Sequence, residues 1–376
     1  MIYFDNSATT QTYQQVADYV CDCSKNLYYN PSSVYGPSLQ TKNALNDARQ
    51  KLLKLLKASN NDMIYFTGSA TEANNIILNG LARKNKKILV SIGEHPSVFE
   101  TAKNLKTLGY DVQFVNLLPN GTLDLEHLQT LLDENVGLVS FMHVSNETGA
   151  INDIQVISKL IKSKAPNALI HCDGVQAFCK VPVDLSSCQV DAYTISAHKI
   201  HGPKGVGAFY LKNGVNLKPT MFGGGQEMGV RPGTENVPGI LGMCMAAEIM
   251  MDNFDKNFIH VSSIKQKMLQ LLQQKCDGFI INGADALTSP YILSVSFKDV
   301  RGEVLLHALE QYQIYLSTGS ACSSKKSDNR ILSAMGQSQK DILGNVRFSF
   351  CETNTLDEVE FVVDKLALEI QKLRRV

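Results

Sequence analysis

The chain has 376 residues, 44% of them hydrophobic, enough to fill a large core or two packed domains. Lys plus Arg and Asp plus Glu each number 36, and the zero formal charge excludes a broad electrostatic footprint for nucleic acid or an anionic membrane. The opening MIYFDNSATT has an acid at Asp5 and no basic stretch before an apolar run, so it is not a secretory signal. The greasiest stretch, 237–251, is broken by Pro238, Gly239 and Gly242 and carries Glu248, which reads as a buried helix rather than a membrane span. The expected compartment is the cytoplasm. Nine cysteines contain no C-x-x-C pair, which excludes a zinc ribbon or a thioredoxin motif, and in a reducing compartment most of them should be small buried hydrophobes.

Taken in chain order, the apolar pattern predicts a strand at Met63–Phe66 and a helix from near Thr71. A strand at Lys87–Ile92, a helix at Ser97–Leu108, a strand at Asp111–Val115 and a helix at Leu123–Asp133 follow. Then come Gly137–Met142 (strand), Ile154–Lys164 (helix), Ala168–Cys172 (strand), and the strands Asp191–Ser196 and Val206–Leu211. This alternation argues for a largely parallel sheet covered on both faces, with ligands gathered at the carboxyl ends of the strands. After Asn236 a long helical pattern runs towards Cys276. A smaller α/β unit follows, with strands near Tyr291–Phe297, Ile314–Ser317 and Val346–Phe350 and helices near Arg301–Gln311 and Thr355–Leu373. Residues 323–329, rich in Lys and Ser, read as a mobile loop.

Five segments at predicted strand ends carry chemistry. Thr67-Gly-Ser-Ala-Thr-Glu-Ala73 joins a strand to a helix, where small residues and a helix N-terminus suit a phosphate; an ordinary N-cap is the plain alternative. Glu94-His95-Pro96 offers a histidine able to lie flat on an aromatic ring or to move a proton. Asp173-Gly-Val-Gln176 offers a carboxylate for a pyridinium nitrogen, or merely a cap. Ser196-Ala-His-Lys199-Ile-His-Gly-Pro-Lys-Gly205 holds an amine rigidly between a strand and a Gly/Pro-rich turn, as Schiff-base chemistry requires. Ser317-Thr-Gly-Ser-Ala-Cys322-Ser-Ser324 frames a thiol with small polar residues, which suggests exposure and reach. His198 and His201 stand three apart with no helix to align them and no third ligand nearby in sequence, so no metal site is expected.

In this order the segments resemble the class-V aminotransferase group of fold-type I pyridoxal-phosphate (PLP) enzymes, and within it the NifS/IscS-like cysteine desulfurases. The likeness also includes Tyr3-Phe-Asp-Asn-Ser-Ala-Thr-Thr10, Asn30-Pro-Ser-Ser33, Ser145-Asn-Glu-Thr-Gly149, Gly223–Glu227, Arg231–Asn236 and Val346-Arg-Phe-Ser349, nearly the whole chain. It implies an α/β fold: a large PLP-binding domain over 15–250 with a mainly parallel seven-stranded sheet covered by helices. Residues 1–14 and 251–376 would form a smaller α/β domain carrying the cysteine loop. The implied chemistry is removal of sulfur from L-cysteine, giving alanine and a persulfide on Cys322. Lys199 would carry the cofactor and move the proton at the substrate carbon. Asp173 would pair with the pyridinium, His95 would stack on the ring, and Gln176 and Asn146 would contact its oxygen. Ala70, Thr71, Ser196 and His198 would hold the phosphate, with Thr234 from a second subunit of a homodimer. Arg347, with Asn146, would bind the substrate carboxylate. His95 and the substrate's own amine are both candidates to activate Cys322.

Two departures from the family pattern stand out: Met228 and Val230 replace frequent basic residues, and Tyr35 replaces a frequent histidine. The end at Val376 suggests a donor without the scaffold-docking tail of general iron–sulfur desulfurases. The implied acceptors are a tRNA 4-thiouridine synthetase-like protein, a thiamine-synthesis protein or an iron–sulfur scaffold. A selenocysteine lyase or another class-V lyase or aminotransferase is the closest rival. Ser196-Ala-His-Lys199 and Ser327-Asp-Asn329 mimic two β-lactamase marks, but the third is absent and Gly202, Pro203 and Gly205 prevent the helix that the first requires.

Overall fold

The structure, a computed structural model, describes residues 1–318 and 329–375. After a short strand β1 (Ile2–Tyr3) come two helices that the apolar pattern did not announce, α1 (Gln14–Asn26) and α2 (Gly36–Leu55). Both are largely polar. α2 buries Ser38, Thr41, Leu45, Ala48 and Leu52, a narrow stripe at helical spacing, together with Leu53. The alternating region then gives β2 (Met63–Thr67), α3 (Ala70–Leu81), β3 (Lys87–Ser91), α4 (Pro96–Thr107), β4 (Val112–Val115), α5 (Leu125–Leu131) and β5 (Val136–Met142). It continues with α6 (Ile154–Lys164), β6 (Leu169–Asp173), β7 (Ala192–Ser196) and β8 (Gly207–Leu211). These bounds lie within a few residues of the expected ones.

The seven strands form one sheet in the order β2-β8-β7-β6-β5-β3-β4. β3 to β7 pair in parallel, and β8 runs antiparallel to both of its neighbours, so six strands share one direction. One face packs Leu52, Phe66, Phe141, Ile161, Cys172, Tyr193 and Met243 into a core. The other face packs Ile77, Leu81, Val90, Val98 and Phe209. Burial on both faces explains why these strands read as continuous apolar runs.

The long helical pattern after Asn236 divides into α7 (Val237–Asp252) and α8 (Phe254–Lys275) at Asn253, whose φ −108° and ψ 15° leave the helix. Beyond it lie β9 (Phe279–Asn282), β10 (Ile292–Phe297), α9 (Gly302–Glu310), β11 (Ile314–Tyr315), α10 (Arg330–Ala334), α11 (Gln339–Leu343), β12 (Asn345–Ser349) and α12 (Leu356–Leu373). β12, β10 and β9 form an antiparallel sheet with its own core of Phe4, Ile264, Met268, Phe297, Val346, Phe348 and Leu366. β1 pairs with β11, and Asp5 bridges Ser349, so the N-terminus is stitched to this second sheet. From there the chain crosses the carboxyl ends of the large sheet. No helix among the described residues is long and apolar enough to cross a membrane.

Gly207 sets how closely α3 approaches β8. A Cβ built there would lie 2.5 Å from the Ser69 carbonyl carbon and 2.6 Å from the Ala70 nitrogen, both backbone atoms that cannot rotate away. Gly207→Ala should therefore lower the stability by about 1–3 kcal/mol, as overpacking does, read as a lower denaturant midpoint at unchanged slope.

Candidate active site

The expected residues converge where β5, β6 and β7 end. β6 finishes at Asp173, a buried carboxylate whose Oδ2 accepts Asn74 Nδ2 (2.9 Å) and whose Oδ1 accepts the Val175 amide (3.0 Å). The Asn74 amide also donates to Ser97 Oγ (2.9 Å), and Ser97 Oγ lies 2.8 Å from His95 Nδ1. His95 Nδ1 accepts the Ser97 amide (3.1 Å), so in the neutral ring the proton sits on Nε2. A continuous polar chain thus links the exposed face of His95 to Asp173. The low polarity around His95 holds its pKa below the ordinary value, with the Asp173 charge opposing.

β7 finishes at Ser196 and turns through a 3-10 turn, Ala197–Lys199, that presents the lysine; Gly202, Pro203 and Gly205 do not extend it into a helix. Lys199 Nζ donates to the carbonyls of Ser7 (2.5 Å) and Ala8 (2.7 Å). Gln176 Nε2 donates to the same Ser7 carbonyl (2.9 Å). His198 Nδ1 lies 3.2 Å from Thr9 Oγ1, and burial, then the Lys199 charge, push its pKa down to about 3. Burial is also the main cause that brings Lys199 down to about 7; Lys180 and Arg347 add to it, and Asp5 and Asp173 oppose.

Ser196 stands opposite Gly207 in the β7–β8 register, and Gly207 touches the start of α3. There the Ser69 hydroxyl takes the Glu72 amide (3.1 Å), leaving the amides of Ala70 and Thr71 as open donors beside Ser196. Arg347, on β12, reaches in from the second sheet. Its Nη1 donates to the Asn146 carbonyl (2.9 Å), and its Nη2 lies 3.1 Å from Asp5 Oδ1. Glu147 Oε1 is 3.6 Å from Nη1. Burial pushes the Asp5 and Glu147 carboxyls up, with Arg347 pulling both back.

Thr234 is exposed and is not brought to the cluster within this chain. Its segment is tied to α3 by Arg231 Nε and Glu72 Oε1 at 2.8 Å. Cys322, and the 323–328 part of the loop expected to be mobile, lie outside the described residues; Asn329 caps α10. Sequence reasoning missed Asn74, Glu94, Glu147, Lys180 and the role of Asp5. Glu94 is fully buried, and burial followed by the Asp173 charge lifts its carboxyl well above the usual range. A charged residue inside a recognised motif, such as Glu94 or Glu147, was the available signal. His201, set aside as a ligand, does meet partners from distant sequence: its ring lies with the Cys351 thiol and the Glu352 carboxylate, all ligand atoms within 4.8 Å of one another.

Residues 2–362 match the Aminotransferase class-V family. The chain belongs to that family. It is 35% identical to a cysteine desulfurase of Trichormus azollae over 378 residues, covering 100% of this chain and 94% of that protein. It is 34% identical to the cysteine desulfurase IscS of Clostridium botulinum (strain Hall), covering 100% and 96%. Among solved structures, a NifS-like protein superposes with a TM-score of 0.92 at 36% identity over 98% of this chain and 99% of the other. SspA in complex with cysteine superposes with a TM-score of 0.82 at 26% identity, covering 94% and 100%.

The family implies pyridoxal phosphate, and the class-V site in this chain fits it. Ser196 Oγ, Gln176 Oε1 and Asn146 Oδ1 are buried atoms without a hydrogen-bond partner among the described residues, and Gln176 shares the Ser7 carbonyl with Lys199. Buried polar atoms of this kind call for a polar ligand. Because its pKa is near 7, the Lys199 amine should react with a small aldehyde, trapped by borohydride, with a midpoint near pH 7 rather than near 10. Mass spectrometry of the Lys199 peptide across pH 5–10 measures this; a midpoint near that of the exposed lysines would contradict the assignment.

Proposed function

We propose that the chain is a PLP-dependent cysteine desulfurase that moves sulfur from L-cysteine to Cys322. One observation carries the reading: Lys199, Asp173 and Arg347 arrive from three separate elements at one cleft, and relatives named cysteine desulfurase match this chain along its whole length. Bound PLP would draw electron density from the substrate α-carbon. Asp173 would face its pyridine nitrogen, His95 its ring, and Gln176 and Asn146 its oxygen. The Ala70 and Thr71 amides, Ser196 and His198 would take its phosphate at the start of α3.

Arg347 would bind the substrate carboxylate through its guanidinium, whose Nε has no partner among the described residues. Lys199, able to shed its proton near neutrality, removes and returns the proton at the α-carbon. The Cys322 thiolate attacks the substrate sulfur, so an S–S bond forms as the C–S bond breaks. Carbon is reduced to the methyl of alanine and the two sulfurs share the oxidation, so no external oxidant or reductant is needed. A second copy of the chain would bring its own Thr234 to the phosphate. The persulfide then passes to a protein acceptor.

Protein reconstituted with PLP and given L-cysteine should yield alanine and a 32-dalton-class sulfur adduct, about one sulfur atom, on the Cys322 peptide. Cys322→Ala should abolish the adduct and lower alanine formation by about 100-fold or more. Adduct-free protein that still turns over would identify a different class-V lyase.

A further inference from the structure

Just beyond Lys199, the backbone of His201 adopts φ +61°, a left-handed conformation that is costly for a side chain of this type. Five contacts hold it there. Its amide donates to Thr10 Oγ1 (2.8 Å), and its carbonyl accepts the Tyr13 amide (3.1 Å). Its Nδ1 donates to the Gln11 carbonyl (2.8 Å), which directs Nε2 at Glu352 Oε1, 3.4 Å away. The Tyr13 ring stacks on the imidazole with centroids 4.3 Å apart and planes 13° from parallel. The Tyr13 hydroxyl donates to the same Glu352 oxygen. His201 is 3% exposed, so the strain is locked inside the protein.

The two ends of this arrangement matter. His201 is two residues from Lys199, on the turn after β7. Glu352 is five residues from Arg347, just past β12 of the other sheet. The remaining neighbours are the Cys351 thiol, itself 3.1 Å from Thr353 Oγ1, and the buried Lys180 ammonium, 5.6 Å from the centre of the Tyr291 ring. Burial tends to raise the Glu352 carboxyl, but the His201 bond and charge and the Tyr13 hydroxyl carry it down to about 2, so it is an anion throughout the working range. Lys180 and Glu352 feel each other's charge, and Glu352 Oε2 has no hydrogen-bond partner among the described residues.

We propose that Glu352 is a positioning residue: with Tyr13 it clamps His201 and thereby fixes the Lys199 turn relative to Arg347. The substrate carboxylate at Arg347 and the α-carbon at Lys199 sit on opposite ends of one small molecule, so slack between the two sheets is misalignment at the reacting atoms. The inference rests on the desulfurase reading for its kinetic readout only.

The test compares Glu352→Gln, Tyr13→Phe and the double variant with the parent as PLP-loaded enzymes on L-cysteine. Glu352→Gln keeps shape and removes charge. We expect kcat to fall about tenfold or more while KM stays within about threefold, the signature of lost alignment rather than lost binding. PLP loading and unfolding temperature should hardly move. The double variant should be no slower than the worse single one, because both cut the same clamp. Hydrogen exchange at the Tyr13 and His201 amides should quicken in Glu352→Gln, an outcome independent of any activity. A kcat within about twofold of the parent, or a fall that tracks lost PLP and lost unfolding temperature, overturns the proposal. So does a stoichiometric metal ion that chelator removes and Glu352→Gln loses, which would make the cluster a cation site. If the parent itself releases no alanine, the desulfurase reading fails, and the clamp is decided by hydrogen exchange alone.

Discussion

A lysine sheds its proton near neutral pH only where water is scarce and other cations are close. Lys199 meets both conditions because one stretch of chain, Ser7 to Thr10, is laid across the strand ends and closes them from solvent. That stretch supplies carbonyls to Lys199 and Gln176 and a hydroxyl to His198. Its preceding residues pair with β11 through β1 and bridge to β12 of the second sheet through Asp5. The N-terminus is therefore the joint of the site: it belongs by hydrogen bonding to one sheet and by side-chain contact to the other. If it were peeled away, the lysine would be rehydrated and its amine returned towards an ordinary, protonated state.

Charge is distributed around the cleft to keep each group in its working form. Arg347 is bracketed by Asp5 and Glu147, which compensate its burial yet sit far enough back to leave Nε unpaired. Asp173 is held by Asn74 and a backbone amide rather than by a cation, so its charge remains available to a ligand. Glu94 sits beneath it, one oxygen taking the Met142 amide at 2.6 Å and the other without a partner. Burial, and after it the nearby Asp173 charge, lift the Glu94 carboxyl well above its usual range.

Much of this was legible in the sequence because the large sheet is buried on both faces. Apolar runs such as Gly137–Met142 and Asp191–Ser196 announce such strands directly, and the motif residues follow them in order. What escaped were elements whose burial is thin. α1 buries Val16 and Cys23 alone, and α2 a narrow stripe with Leu53, so their sequences read as polar. Among site residues, Asn74 and Lys180 were missed because their importance arises from contacts across 99 residues in one case and from a buried ammonium near an aromatic ring in the other. Local pattern carries neither. His201 was weighed against sequence neighbours only, while its true partners, Tyr13 and Glu352, lie 188 residues before and 151 after it.

The cysteines supply an independent argument about where sulfur is handled. A thiol takes up sulfur as its thiolate, and burial keeps a thiol protonated. Seven of the cysteines in the described residues are buried, and each has its thiol pushed up chiefly by that burial: Cys276 to about 11 and Cys244 to about 12, with Cys172 and Cys179 raised well above the usual value. Even Cys351, close to the cleft and beside Lys180, is raised rather than lowered. Cys21 is exposed, but it sits on α1, which packs against α7 on the flank of the large sheet rather than at its strand ends. A persulfide carrier must be both ionisable and able to leave the cleft for an acceptor. Inert thiols through the core have a further consequence: they do not compete for sulfur released within the site. Cys322, set between Ser320-Ala321 and Ser323-Ser324 just after Gly319, is the thiol to which the proposed sulfur transfer falls.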